Sequence, residues 1–70
     1  MSDKVKVKVN GAEKSFDAPL TMFTLLEQEG VIDMMIGAAQ NGTIVPRDAW
    51  DDTTVKLGDI IEIVSPQQGG

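Results

Sequence analysis

Lys4-Val5-Lys6-Val7-Lys8-Val9-Asn10-Gly11-Ala12-Glu13-Lys14-Ser15-Phe16-Asp17 sets the architecture of this chain. From Lys4 to Val9, lysine and valine alternate strictly. A period of two with β-branched residues on one face marks a half-buried strand. Asn10-Gly11 follows at once. Both residues tolerate positive φ, which makes this dipeptide the turn of a tight hairpin. The return strand runs from about Glu13 to Asp17, with Phe16 on the buried face. Lysines on the outer face of the first strand also discourage pairing at a sheet edge.

Beyond the hairpin, Ala18-Pro19-Leu20 breaks the strand and Thr21 is placed to cap a helix. Met22, Phe23, Leu25 and Leu26 fall at helical spacing, so most of them belong to the core. The helix spans Met22 to Glu29 and ends at Gly30, the C′ residue. At that length it is marginal alone and needs a sheet to pack on. Val31 to Met35 is a connection, with Met34 and Met35 read as core filler in preference to an exposed docking surface. Ile36 to Gln40 reads as a strand of small residues, Asn41-Gly42 as a second turn, and Thr43 to Val45 as a short strand stopped by Pro46. Arg47 to Asp52 forms an irregular or 3₁₀ turn around Trp50, and Gly58-Asp59 opens a last strand from Ile60 to Val64. These elements fold into one two-layer α+β domain, residues 1–64, with sheet on one side and helix on the other. Ser65 to Gly70 is a polar tail without an apolar anchor, and termini of this kind are mobile.

Composition narrows the functional classes. A chain of 70 residues holds one thin core and has little room for an internal active-site cavity. There is no Cys, which excludes disulfides, zinc–thiolate sites and iron–sulfur clusters. There is no His either, so the commonest general base and zinc nitrogen ligand is missing, and Ser2, Ser15 and Ser65 have no imidazole to activate them. Asp51-Asp52 in an extended segment would point to opposite faces, poor geometry for paired acid–base work. The formal net charge of -5 argues against nucleic acid and fits steering towards a basic partner surface. No apolar stretch follows Met1-Ser2-Asp3-Lys4, and no apolar run is long enough to span a membrane. The expected location is the cytoplasm.

Three segments carry a family resemblance. They are Asn41-Gly42-Thr43-Ile44-Val45-Pro46-Arg47-Asp48-Ala49-Trp50, then Leu57-Gly58-Asp59-Ile60-Ile61-Glu62-Ile63-Val64, and the terminal Gly69-Gly70. In this order and spacing they resemble the ThiS family, the sulfur carriers of thiamine biosynthesis. The most specific piece is the Val-Pro-Arg-x-x-Trp run, Val45 to Trp50. The resemblance implies a β-grasp (ubiquitin-like) fold, a mixed sheet of four to five strands on one main helix. It implies a carrier and not an enzyme. Gly70 would be adenylated by an ATP-using adenylyltransferase of the ubiquitin-activating type and converted to a thiocarboxylate. Sulfur would come from a donor such as a cysteine desulfurase or rhodanese and pass to thiazole synthase. ATP and magnesium would sit in the activating partner, with no cofactor or metal on the carrier itself. The chain departs from many members at Gly37, Ala38 and Gln40, and its Ser65-Pro66 is closer to the small subunit of molybdopterin synthase.

The residues suit that chemistry. A carboxylate is a poor electrophile until one oxygen becomes a leaving group. Glycines at 69 and 70 enter a narrow channel closely, Gln67 and Gln68 hydrogen-bond without adding charge, and Pro66 limits the freedom of the tail. Two final glycines arise by chance in about 1 in 200 chains if Gly is about 7% of residues. A flexible end or an expression scar therefore stands as the minor reading. Pro46, Arg47 and Trp50 are expected to be structural: Pro46 ends a strand, Trp50 caps the core edge, and Arg47 pairs with a nearby acid. Gly58-Asp59 is expected to be a turn whose carboxylate bonds local backbone. Three alternatives stay open. They are a carrier for another pathway, such as molybdopterin, cysteine or a thio-metabolite, a ubiquitin-like modifier conjugated through Gly70, and a binding module with an inert tail.

Overall fold

The computed structural model describes residues 3–33 and 37–64. Five strands, one α-helix and one 3₁₀-helix follow in chain order: β1 (Lys4–Val9), β2 (Ala12–Asp17), α1 (Met22–Glu29), β3 (Gly37–Gln40), β4 (Thr43–Val45), the 3₁₀-helix (Arg47–Asp52) and β5 (Ile60–Val64). The hairpin forms as its pattern dictates. β1 and β2 pair antiparallel from Lys4–Asp17 to Val9–Ala12, one residue further than the return strand expected from Glu13. Both Asn-Gly dipeptides adopt positive φ at both positions, 52° and 87° at Asn10-Gly11 and 51° and 84° at Asn41-Gly42. That is the geometry whose twist matches the flanking strands.

The sheet order is β2-β1-β5-β3-β4. β5 runs parallel to β1 and antiparallel to β3, so the last strand lies at the centre of the sheet. This corrects one expectation. β1 is an interior strand, and the edges are β2 and the three-residue β4. Lys4, Lys6 and Lys8 therefore solvate the outer face of the sheet and do not guard an edge. The strand expected from Ile36 begins at Gly37 in the described residues, and Met34 and Met35 lie outside them.

The inner face carries Val5, Val7 and Val9 of β1, Phe16 of β2, Ala38 of β3 and Ile61 and Ile63 of β5, all buried against Met22, Leu25 and Leu26 of α1. Phe23 is only half-buried, as the helical spacing requires of one of four neighbours. Thr21 caps α1, its Oγ1 accepting the Thr24 N–H at 3.2 Å. At the other end Gly30 takes φ 72°, its N–H donating to Glu27 O while Val31 N–H donates to Leu26 O. These paired bonds satisfy carbonyls that the helix end leaves free. Val55 N–H donates to Leu20 O and Met22 N–H to Thr53 O, tying the segment after the 3₁₀-helix to the start of α1.

Candidate functional site

The site is built around β5, the last described strand, and it is assembled from both turns. Asn41 Oδ1 accepts the Ile60 N–H at 2.9 Å, while Asn41 N–H donates to Ile60 O at 2.7 Å. On the other flank, Asn10 Oδ1 accepts the Ile63 N–H at 2.7 Å across 53 residues of sequence. Each turn asparagine therefore grips β5, one near its start and one near its end. Asp59 completes the first grip. Its Oδ2 accepts from Lys56 N at 2.8 Å and Gln40 Nε2 at 2.8 Å, and its Oδ1 from Asn41 Nδ2 at 3.1 Å. Partial burial pushes the Asp59 carboxyl up. The Lys56 backbone bond, the Asn41 and Gln40 side chains and the Lys56 charge outweigh this and hold it below its ordinary value. Gly58 supplies φ 88° in the turn just before it. The expected local bond of Asp59 is present, and it extends to β3 and to the turn after it.

The family-motif residues are brought together beside β4. Trp50 is buried, only 4% exposed, and its Nε1 donates to Val45 O at 3.0 Å. Arg47 does not take the acidic partner expected of it. Its Nη2 donates to Ile32 O at 3.2 Å, and its guanidinium sits 5.2 Å from the Trp50 ring centroid. Lys4–Asp17 and Lys14–Glu29 are the ion pairs among the described residues. A guanidinium can satisfy a carbonyl and stack on an indole at once, so the motif braces the loop after α1 against the 3₁₀-helix. Pro46 precedes that helix with φ -66°, a value its ring enforces. Asp51 and Asp52 lie in the 3₁₀-helix and not in an extended segment, and both are exposed. Gln67, Gln68, Gly69 and Gly70 lie outside the described residues.

The outer face of the sheet carries a feature that pattern reading missed. Ile44, Leu57, Ile60 and Val64 are 71%, 72%, 50% and 51% exposed. Gly37 and Ala39 pair with Val64 and Glu62, and Ala39 also pairs with Ile44. These small residues floor a shallow apolar groove walled by Ile44, Ile60 and Val64. The signal lay in Ile60-Ile61-Glu62-Ile63-Val64, where four apolar residues in five break the alternation of a half-buried strand. Among the described residues no group of acidic side chains is placed to hold a metal, and no helix is long and apolar enough to cross a membrane.

Comparison with known proteins bears on this arrangement. The sequence model of the ThiS family matches residues 5–70. A thiazole synthase of Paramagnetospirillum magneticum is 35% identical over 66 residues, covering 94% of this chain, and the chain spans only 20% of that protein's length. The crystal structure of the thiamine biosynthesis protein ThiS from Geobacter metallireducens superposes with a TM-score of 0.77 at 31% identity, covering 94% of this chain and all of that one. The five-stranded mixed sheet with one helix is thus the β-grasp fold that the resemblance implied.

Proposed function

The chain belongs to the ThiS family, and from that premise we propose that it carries sulfur as a thiocarboxylate on Gly70 for thiamine biosynthesis. The observation that carries the reading is the family match, which runs from Val5 to Gly70. The Gly70 carboxylate attacks the α-phosphorus of ATP in the partner and pyrophosphate leaves. The terminal sulfur of a persulfide on a donor, such as a cysteine desulfurase or rhodanese, then attacks the activated carbonyl and AMP leaves. A thiol reductant cleaves the resulting acyl disulfide, forming a disulfide with the donor sulfur and freeing the thiocarboxylate. The carrier contributes the reacting carboxylate, the reach of its tail and a docking face. ATP and magnesium are bound by the adenylyltransferase, where phosphate charge needs cationic stabilisation.

The reach of the tail limits where that enzyme sits. Six residues follow Val64, and six extended residues span at most about 20 Å. An enzyme that holds Gly70 therefore stands close to the end of β5, where the apolar groove of Ile44, Ile60 and Val64 lies. We assign that groove to the adenylyltransferase, since ordering a tail costs free energy that a folded contact must offset. Thiazole synthase is the proposed acceptor. The relative that bears that name contains a segment matching this chain within a protein about five times as long, which supports a carrier working beside its acceptor.

The test is the intact mass of the chain after incubation with an adenylyltransferase of this type, ATP and a sulfur donor. One oxygen replaced by one sulfur, mapped to Gly70, is expected, and a chain lacking Gly70 should gain nothing while melting as before. Isopeptide conjugates to lysine in place of the sulfur gain would move the assignment to a protein modifier.

A further inference from the structure

We propose that Asn10 is a positioning residue for the end of β5 that bears the C-terminal segment, its side chain replacing a missing rung of the sheet at Ile63. The register of the parallel pair shows the replacement. Lys8 and Val9 lie beside Ile60 and Ile61, with Lys8 N–H donating to Asp59 O and Asn10 N–H to Ile61 O. In a parallel ladder such bonds recur every second residue along each strand. The acceptor due next for Ile63 N–H is therefore the backbone carbonyl of Asn10. But β1 ends at Val9, and Asn10 turns away with φ 52°. Its side-chain Oδ1 takes that place, at 2.7 Å from Ile63 N. β3 pairs with β5 as far as Val64 on one flank, and on the other the Asn10 side chain bonds β5 at Ile63, beyond the last β1 pair of Val9 and Ile61.

This inference rests on the carrier function above. Strand ends open at small free-energy cost, so losing the Asn10 bond raises how often Ile63 and Val64 lift from the β1 flank while the pairing to β3 remains. If Ile63 and Val64 lift from the β1 flank, the partner must order more chain for the same contacts, and that loss falls on binding. Asn10 is also a turn residue, so the test must separate the two roles. Asn10→Gly keeps positive φ and a competent two-residue turn but has no acceptor. Asn10→Asp keeps an acceptor oxygen and also tolerates positive φ.

Steady-state adenylation by the activating enzyme with ATP, together with amide hydrogen exchange at Ile63, gives the readout. For Asn10→Gly we expect KM for the carrier to rise roughly twofold to tenfold, the span an ordinary hydrogen bond commands. kcat should be unchanged, since uniform binding is what is lost. Ile63 exchange should quicken, and Asn10→Asp should restore both values. Unchanged KM in Asn10→Gly, or an equal rise in Asn10→Asp, would overturn the proposal while sulfur gain on the unaltered chain keeps the carrier function. An unaltered chain that is never adenylated overturns both.

Discussion

Replacing Trp50 by Phe tests whether the family motif holds the fold or touches a partner. The indole is buried, and its N–H is bonded to Val45 O, in a strand at the sheet edge. Trp50→Phe removes roughly 50 Å² of buried apolar surface, or about 1 kcal/mol at 25 cal/mol per Å². It also deletes the donor to Val45 O, which contributes about another 1 kcal/mol. The sum is ~2 kcal/mol against a total of ~4–10 kcal/mol for a domain of this size. That corresponds to a drop in Tm of roughly 8–16 °C. Urea unfolding followed by far-ultraviolet circular dichroism is the assay, because the variant has no tryptophan to report by fluorescence. The urea midpoint should fall with the m-value unchanged. Well below Tm, the folded variant should still be adenylated with the KM of the unaltered chain. A variant of full stability that is no longer activated would refute this reasoning and make Trp50 a partner contact.

Other outcomes follow from the same geometry. Asp59 has its carboxyl held below its ordinary value, so the stability it contributes is complete above pH about 4 and is lost as pH falls through its lower folded value. The urea midpoint of Asp59→Asn should therefore lie below that of the unaltered chain by a constant amount from pH 7 to about 4. The gap should narrow under more acid conditions, and one that holds or widens there would contradict the bonding described. Ile44 is largely exposed, so Ile44→Glu should change stability by no more than about 0.5 kcal/mol. The same variant should raise KM for the carrier in adenylation about tenfold if the groove seats the activating enzyme. An unchanged KM would remove the groove from that interface.

Much of this protein was legible from short stretches. Alternation in β1, two Asn-Gly turns, Thr21 and Gly30 at the helix ends and Pro46 after β4 are local signals, because each depends on the φ/ψ limits or capping ability of a few adjacent residues. The Val-Pro-Arg-x-x-Trp run and the terminal glycines pointed to the ThiS family by resemblance alone, a different warrant from local backbone geometry. The choice of strand neighbours was not local. That β5 lies between β1 and β3 follows from burying the valines of β1 and the isoleucines of β5 under one helix. Arg47 takes a carbonyl and an indole in place of an acid because the fold sets Ile32 and Trp50 within its reach, and no spacing in the chain encodes that. Which isoleucines of β4 and β5 face the core and which face solvent was decided only by the side of the sheet that the helix covers. The asparagines were recognised as turn formers, yet their second task waits on a strand that arrives, for Asn10, 53 residues later. Backbone geometry is settled between neighbours, whereas a side chain's partners are settled only when distant segments share one surface.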